Sequence, residues 1–544
     1  MCIMKIGLAR WGLPAVALAV APAFAQAIDE TDNNLSVTLP SGVRISREYV
    51  NLTMDDRDKS HSGWVPVKDF PHGNVSIRIH ATNSGDSAQR LEAEIPFGVV
   101  TPFRIAYRSH MMNCGKALTF FRLLADTEVA PGSDLEWNIP VPFLRGAGAC
   151  SNWYISDGCG TLDMSNAYFS PEGYANRKAL PLVALSRSLW EDGFRQRCAR
   201  AVTMRAMHAR NISDEDADKF IATRGARMAF AAPDFANFRS WRELSVYTLL
   251  AVDAKDALTM PERFWEILPD WIAAGGCFVL AGEPEEGSPA ALSRLPDGEF
   301  GLGTVLRTDR GLTDRTRFAD AMNAAFDMFS PEKHLRLVCD RQATAKINDL
   351  GRRTMPFVTL VLVLIAFCIV AGPVALGILA KKNKRINILW VFPLLSLAFS
   401  VAVAAVIVNV FGVNPELHQF AYTMVDEKAG KVVTVQTDVI FAPFPLRGEI
   451  SYPSDGLVGL FSDSDAWCGE DIRCNGRETA FSGDWVPSLW PVAFRTVRVR
   501  NLEDGPEPDA VSDSGKDLGL LTAPIKGPML RRRISQTVER RKAE

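Results

Sequence analysis

The sequence DWIAAGGCFVLAGEP, residues Asp270–Pro284, places a cysteine between a double glycine and four apolar residues. The residues upstream, TMPERFWEILPDWIAA, have helical spacing, and Gly275-Gly276 suits the end of a helix. The continuous apolar run CFVLA is typical of a strand that is buried on both faces. The stretch therefore predicts a helix that stops just before Cys277 and a strand that starts at it.

The position of Cys277 on this strand decides whether it is a candidate nucleophile. In open α/β sheets, ligands and nucleophiles lie beyond the carboxyl ends of the strands. Cys277 stands at the amino end, and four strand residues follow it where a nucleophile elbow would need a helix. We interpret Cys277 as a packed strand residue, because free cysteine behaves mostly as a small buried hydrophobe. No catalytic residue is predicted.

The segments around this stretch show the same alternation of continuous apolar runs and helical spacing. ALPLVALS and VYTLLAVDA are continuous apolar runs, and helical spacing separates such runs. Strands that alternate with helices predict right-handed βαβ units and a parallel sheet, here over residues 176–350. The carboxyl ends of its strands would form a crevice, and the candidate lining residues are Ser186, Asp253, Gly282 and Glu283. Ordinary loop or capping duty is the alternative for all four residues.

The segments YTLLAVDA, LPDWIAAGGCFVLAG and GEFGLGTVL resemble the amidotransferase-like domains of exported, membrane-anchored bacterial proteins of unassigned function. Gly372-Pro373 inside an apolar run, followed by basic residues and a tryptophan, resembles the same group. The resemblance covers about residues 180–450 and implies a flavodoxin-like sheet with a two-helix transmembrane hairpin. It carries over no catalytic residue, because the Cys-His-Glu set of working amidotransferases has no counterpart in this sequence.

The regions on either side of the α/β segment alternate with period two. NVSIRIHATNSG, RLEAEIPF and SDLEWNIPVPF predict an antiparallel β-sandwich over residues 30–175. KVVTVQTDVIFAPFPLRGEISYP predicts a separate small β domain over residues 413–502. The segment 503–544 is rich in Pro, Asp, Gly and Ser before a basic end, which predicts a disordered tail.

Three apolar segments predict the location of the chain. Residues 1–25 have the charged, apolar and A-x-A parts of a signal peptide. Residues 356–380 and 386–412 are each long enough for a transmembrane helix, and the loop 381–385, KKNKR, is predicted to be cytoplasmic by the positive-inside rule. The expected location is the inner (cytoplasmic) membrane, with two spans and with all soluble domains periplasmic.

The composition of the chain and the spacing of its histidines and glycines exclude several kinds of ligand. Sixty Lys and Arg residues against 63 Asp and Glu residues make the chain nearly neutral, which argues against nucleic acid as a partner. The seven histidines show no metal-ligand spacing, and Gly301-x-Gly303 precedes strand-forming residues, where a phosphate loop would need a helix. Neither a cofactor nor a metal site is predicted. The acidic run MDDRD, residues 55, 56 and 58, is interpreted as a solvated loop.

Eight cysteines should face an oxidising compartment, where structural disulfides form. Cys468 and Cys474 are the first predicted pair, because a loop over CGEDIRC could close within disulfide reach. Cys150 and Cys159 are the second predicted pair, and Cys277 is expected to stay a free thiol.

These patterns predict a binding or scaffold protein of the cell envelope that assembles with another membrane protein, of which a transporter is one candidate. A non-enzymatic role is favoured for the protein. The alternative is a hydrolase or a ligand sensor that uses the crevice of the α/β domain.

Overall fold

The computed structural model of the chain describes 36–49, 52–54, 64–66, 75–107, 110–141, 143–144, 147–149, 154–157, 159, 161–163, 182–208, 228–284, 287–329, 357–382, 388–411, 416–441, 446–460, 467–474, 478–485, 492–504 and 531–541. The predicted signal peptide, the acidic run at residues 55–58, the loop 383–387 and Cys150 lie outside these residues.

The N-terminal region consists of β-strands. Four of them form an antiparallel sheet in the order β1-β2-β5-β8, while two long strands, β6 and β7, form a hairpin. The side chains of Ile77, Ile79 and Ala81 on β5 are buried, as the period-two pattern predicts. The strands are β1 (Ser36–Thr38), β2 (Arg44–Tyr49), β3 (Leu52–Met54), β4 (Trp64–Pro66), β5 (Val75–Thr82), β6 (Gln89–Tyr107), β7 (His110–Val129), β8 (Asp134–Val141), β9 (Phe143–Leu144), β10 (Ala147–Ala149), β11 (Tyr154–Ser156) and β12 (Thr161–Asp163).

The central region alternates strands and helices. Its six-stranded sheet has the order β14-β13-β15-β16-β18-β17, with parallel pairs throughout except for β17, which is antiparallel to β18. The elements are β13 (Leu182–Leu185), α1 (Arg187–Glu191), α2 (Phe194–His208), β14 (Ala229–Ala231), α3 (Trp241–Leu244), β15 (Leu249–Asp253), α4 (Ala254–Ala257), α5 (Glu262–Ala273), β16 (Cys277–Ala281), α6 (Ala290–Ser293), β17 (Gly298–Phe300), β18 (Gly303–Thr308) and α7 (Arg315–Phe329).

Both faces of this sheet are covered, which explains the continuous apolar runs. Every residue of β15 and of β16 is buried. One face packs with α2 and α7 around Cys277 and Phe318. The other face packs with α5, whose Trp271 is fully buried, and the core continues from there into the C-terminal strands. The helix α5 ends at Ala273 and β16 begins at Cys277, so the predicted boundary is confirmed.

Two apolar helical segments follow the α/β region. The first consists of α8 (Phe357–Ile369), a π-helical turn (Val370–Val374) that contains Pro373, and α9 (Ala375–Lys381). The π turn accommodates the missing amide of the proline. The second is α10 (Ile388–Phe411), which packs back on the first through an edge-to-face contact of Phe367 with Phe399. One helix among the described residues, Val361–Lys381, is long and apolar enough to cross a membrane.

The C-terminal region is again built of strands. One mixed six-stranded sheet has the order β26-β19-β20-β25-β22-β9, and Tyr452 of β21 donates a buried 2.9 Å hydrogen bond to Asp438 of β20. The strands are β19 (Glu416–Asp426), β20 (Lys431–Phe441), β21 (Leu446–Pro453), β22 (Leu457–Leu460), β23 (Trp467–Cys474), β24 (Glu478–Trp485), β25 (Val492–Asn501) and β26 (Arg531–Arg541).

The N-terminal and C-terminal strands belong to common sheets. β23 pairs with β7 in parallel, so that β23, β24 and β21 extend the sheet of the β6–β7 hairpin. β22 pairs in parallel with β9. The prediction of two separate β domains, at residues 30–175 and 413–502, is therefore wrong. Strands far apart in sequence complete one another, and period-two patterns carry no information about such partners.

The predicted fold class as a whole is wrong. Two of the β-sheets are mixed and combine strands from both ends of the chain, where an N-terminal antiparallel sandwich and a separate small C-terminal domain were expected. The flavodoxin-like and amidotransferase-like assignment is overturned too. The central sheet is mixed at the β17 edge, and the connections before β15 and before β18 contain helices of only four residues.

Two further predictions need correction. Two transmembrane helices were expected, but in the described part of the chain one helix, Val361–Lys381, has the length and hydropathy that a membrane span requires. The segment 503–544 was expected to be disordered, yet Arg531–Arg541 forms β26, which pairs in parallel with β19 along its whole length. Hydrogen bonding to a strand edge orders a polar segment that has no apolar face of its own.

The α/β region is joined to the N-terminal sheet through a buried polar junction. The Arg78 side chain, 1 % exposed, lies 3.0 Å from Glu136 and 3.5 Å from Glu243, and it donates to the Asn237 carbonyl. Glu243 accepts from the Asn138 side chain and from the Arg239 amide. Burial raises the pKa of Glu243, against the lowering effects of these donors.

A second junction joins the α/β region to the C-terminal sheet. The Asp426 carboxylate, 2 % exposed, accepts from the amides of Gly301 and Ala429 and from Arg541. Arg541 also pairs with Glu299 at 2.8 Å. Lys431 pairs with Asp270 of α5. The two junctions fix the amino ends of the parallel strands, near α5, against the β-sheets.

Candidate functional site

The candidate site is the carboxyl edge of the parallel sheet. The strands end in register there, because Asp253 is paired with Ala281 and Ala281 with Thr308. The loops that follow these strand ends carry the residues that the sequence proposed as a crevice. In sheets of this kind the carboxyl edge is where ligands bind.

Ser186 and Asp253 lie together at this edge. The amide of Asp253 donates a buried 3.0 Å hydrogen bond to Ser186 Oγ, and the Ser186 amide donates to the carbonyl of Ala251 at 2.9 Å. Both side chains are about 1 % exposed. The hydroxyl of Ser186 therefore holds the end of the neighbouring strand.

The carboxylate of Asp253 makes two contacts. Its Oδ1 accepts from the amide of Lys255 at 2.9 Å, which caps α4. The same oxygen accepts from Arg310 Nη2 at 2.8 Å. Asp253 is 2 % exposed in this pair and Arg310 is 42 % exposed. The hydrogen bond and charge of Asp253 raise the pKa of Arg310, and Asp192 and Asp256 add to the effect.

The other two predicted residues lie on the next turn. Gly282 has a φ of +94°, a conformation that favours glycine, and its amide donates to the Thr308 carbonyl at 2.8 Å. A Cβ atom at Gly282 would lie 3.5 Å from that of Ala254, which places the turn beside Asp253. Glu283 is exposed.

Three site residues were missed in the sequence. Asp256 accepts from the amide of Ser188 at 2.9 Å and from its hydroxyl at 2.6 Å, and so ties α4 to α1. Arg310 follows the last parallel strand, in TDRGLTD. Its position just beyond the end of β18 is the same signal that pointed to Asp253 at the end of β15. The end of β18 was not among the predicted crevice positions.

The described residues at this edge show neither an activated nucleophile nor a set of metal ligands. A nucleophilic serine needs a base that takes its proton. Ser186 Oγ accepts from a backbone amide, while Asp253 and Asp256 cap helices. Among the described residues, no group of three or more His, Cys, Asp and Glu side chains could hold a metal ion. The contacts are those of loop and capping residues around one half-exposed ion pair.

An open groove of about 640 Å³ lies along the other edge of the sheet, between β17, β18 and α7. It mixes polar with apolar groups, and Arg317 on its wall pairs with Asp297 at 2.8 Å. The lining residues are Gly298, Glu299, Thr304, Leu306, Asp314, Thr316, Arg317, Asp320, Ala321 and Ala324. No motif of the sequence pointed to it.

Cys277 is a packed strand residue, as predicted. Its side chain is fully buried in the core between β16 and the helices α2 and α7, where Cys198 lies in the same cluster. Burial raises the pKa of the Cys277 thiol to about 12 and raises that of Cys198 still further. A thiol of this kind is not a nucleophile at neutral pH.

The predicted disulfides are not present at the described cysteines. Cys474 is a buried free thiol and Cys159 an exposed one. Cys468 and Cys474 lie on one strand, β23, so their Cα atoms are about 20 Å apart at roughly 3.3 Å a residue. A disulfide needs a separation below about 7 Å. The prediction for Cys468–Cys474 is wrong because CGEDIRC is a strand, where a closed loop was assumed.

Comparison with known proteins finds no family or relative that informs the function. No protein family matches the chain, and no curated protein matches it. Among solved structures, the β-glucosidase from Kluyveromyces marxianus in complex with glucose aligns at 7 % identity with a TM-score of 0.09. The alignment covers 88 % of this chain and 48 % of that chain, so the chain spans about half the length of that enzyme. A likeness at this level supports no statement on fold or function. The resemblance to exported, membrane-anchored bacterial proteins stays a prediction, although the amidotransferase-like fold that it implied is overturned.

Proposed function

We propose that the protein is a binding or scaffold protein of the cell envelope, held at the inner membrane by its apolar helix and assembled with another membrane protein. The observation that carries this proposal is the exposure of that helix. Only 11 % of the apolar window in Val361–Lys381 is buried inside the structure. Leu364 is 62 % exposed and, on α10, Trp390 is 77 % exposed. Apolar side chains exposed in this number need a lipid or protein environment.

The shared sheets support a single location for both β regions. Strands before the apolar helices pair with strands after them, in β7 with β23 and in β9 with β22. Two strands of one sheet cannot lie on opposite sides of a bilayer, because their backbone groups bond directly. The apolar segments must therefore enter and leave the membrane on the same side, which fits the packing of α10 back on the first segment. If the predicted signal peptide exports the N-terminal region, the C-terminal sheet is periplasmic as well.

Labelling of the full chain in cells tests this location. Native Cys159 is exposed in the N-terminal region, and a Glu503→Cys variant adds an exposed thiol after β25. A maleimide that cannot cross the inner membrane should modify both positions in cells with a permeable outer membrane, as read by mass spectrometry. Labelling of one position alone would reject a common side. Release of the protein from membranes by alkaline carbonate would reject the anchor.

Small residues on the apolar helix support a helical partner. An added Cβ at Gly372 or at Gly377 would meet nothing within 4 Å. The surface at these positions is therefore open for a close approach by another helix, for which glycine is the favoured residue. Gly377→Leu should leave this chain intact and weaken assembly, whereas Leu376→Ala should weaken it less.

Crosslinking in gently solubilised membranes is the measurement. The wild-type chain should yield a crosslinked complex that Gly377→Leu reduces. A wild-type chain that yields no complex, or a complex that the variant leaves unchanged, would reject a partner at this surface.

A second candidate function is ligand binding at the carboxyl edge, as a sensor or hydrolase. The observation that favours it is Arg310, a half-exposed cation held by the buried Asp253. Thermal shifts of the full chain with nucleotides, sugars and peptidoglycan fragments test it. A shift that Arg310→Gln abolishes and Arg187→Gln retains would support this site, because Arg187 is 81 % exposed on the adjacent helix α1. The absence of any shift would reject it.

A further inference from the structure

The strand β26 places a basic triplet at one end of the C-terminal sheet. Its sequence is RRRISQTVERR, and it pairs in parallel with β19 from end to end. In this register Arg531 lies opposite Glu416 and Arg533 lies opposite His418. Neighbouring strands are about 4.8 Å apart. The backbone of the triplet therefore runs beside the first residues of β19.

The first residues of β19 lie close to the apolar helices. α10 ends at Phe411 and β19 begins at Glu416. Five residues span at most about 18 Å. The backbone of Arg531 is consequently within roughly 23 Å of the end of an apolar helix, although more than 100 residues separate them in sequence.

The opposite end of β26 has a different role. Arg541 lies opposite Asp426 in the register, about 33 Å along the strand from Arg531 at roughly 3.3 Å a residue. Its guanidinium pairs with Asp426 and with Glu299. These contacts fix the direction of the strand, with its three consecutive arginines at the end near the apolar helices.

We propose that Arg531–Arg533 form a binding surface for anionic phospholipid headgroups at the membrane face of the protein. This proposal rests on the membrane anchoring proposed above. An anionic membrane surface attracts basic residues near it, and the attraction falls off within a Debye length. By sequence, this end carries three positive charges from Arg531–Arg533 and one negative charge from Glu416, a net charge of +2.

Hydrogen exchange of the full chain in lipid nanodiscs tests the proposal. The amides of β26 should exchange about tenfold more slowly in discs that contain phosphatidylglycerol than in discs of phosphatidylcholine alone. The combined variant Arg531→Gln, Arg532→Gln and Arg533→Gln should lose this difference. A control with equal loss of charge, Arg90→Gln, Arg187→Gln and Arg263→Gln, should retain it, because these three exposed arginines lie outside β26.

The outcomes separate this proposal from the anchoring itself. A chain that does not enter nanodiscs of either lipid rejects the anchor, and the lipid surface with it. A chain that enters both discs but shows equal exchange of β26 in them rejects the lipid surface alone. Equal loss of the effect in the two triple variants would also overturn it, since it would indicate an unspecific response to net charge.

Discussion

The guanidinium of Arg541 lies 3.1 Å from the carboxylate of Asp426, on the neighbouring strand of the same sheet. The second arm of the guanidinium lies 2.8 Å from Glu299, at the edge of the parallel sheet. One side chain of the strand β26 thus helps to join two sheets. The Asp426 carboxylate is the buried member of this group, at 2 % exposure, and it also binds the Gly301 amide.

Replacement of Asp426 by alanine should destabilise the protein by about 2–4 kcal/mol, because two amides and a partly buried guanidinium lose their acceptor. Glu299→Gln is the matched control. Glu299 is 76 % exposed, so its loss should cost no more than about 0.5 kcal/mol. Chemical unfolding of the full chain in detergent, followed by tryptophan fluorescence, measures both. Equal effects of the two variants would contradict the role given to Asp426.

The junction at Glu243 predicts a pH dependence. The pKa of this glutamate is raised in the folded protein by burial, so the folded state binds the proton more tightly than the unfolded state. Its contribution to stability is then fully present below the unfolded pKa and decreases as the pH rises through the folded pKa. The midpoint of thermal unfolding of the wild type, minus that of Glu243→Gln, should therefore fall as the pH increases from about 4.5.

Thermal unfolding at several pH values measures this difference. Glu136→Gln is a suitable control, because Glu136 pairs with the same arginine but is 42 % exposed. A difference that grows with pH would show that the Arg78 ion pair outweighs burial.

The cysteines should differ widely in reactivity. The pKa of Cys277 is raised to about 12 and that of Cys474 to about 12, both by burial. At about pH 8 this lowers the thiolate fraction by roughly three orders of magnitude relative to an ordinary thiol. Iodoacetamide should modify exposed Cys159 in the native protein before either buried thiol reacts. Mass spectrometry of a time course tests the order, and a disulfide at Cys474 would contradict the structure.

Gly303 should not tolerate alanine. A Cβ at this position would overlap the backbone oxygens of Ile272 and Gly276 at the end of α5. Backbone atoms cannot move aside as a side chain can, so Gly303→Ala should destabilise by about 2 kcal/mol or more. Gly377→Ala is the control, since nothing lies within 4 Å of the added atom. Comparison of the unfolding midpoints decides between them.

Local features of the fold could be predicted from the sequence, and distant ones could not. The boundary between α5 and Cys277 follows from two glycines and a change of hydrophobic period. The pairing of β23 with β7 depends on residues that are 349 positions apart, such as Asp471 and Arg122, and no local pattern encodes that register.

The candidate site also contains residues that the local sequence revealed and residues that it did not. Ser186 and Asp253 were found because each follows a buried strand, and the structure joins them by a hydrogen bond. Arg310 follows the strand β18 in the same way and could have been found by the same signal, whereas its contact with Asp253, 57 residues away, is visible only in the structure. Cys468 and Cys474 were misassigned for the opposite reason. Their close spacing in sequence suggested a loop, whereas a strand edge at β7 and β24 keeps the segment extended.

The parallel pairing of β7 with β23 has a consequence for biogenesis. A chain synthesised from its N-terminus cannot complete the sheet of the β6–β7 hairpin until residues near Asp471 have emerged, 349 positions after Arg122. The edge of β7 consequently remains open during most of the synthesis of the chain. An open strand edge of this kind can pair with strands of other chains until β23 covers it. Chains cut short before β23 would then be substrates for proteolysis rather than smaller working versions of the protein.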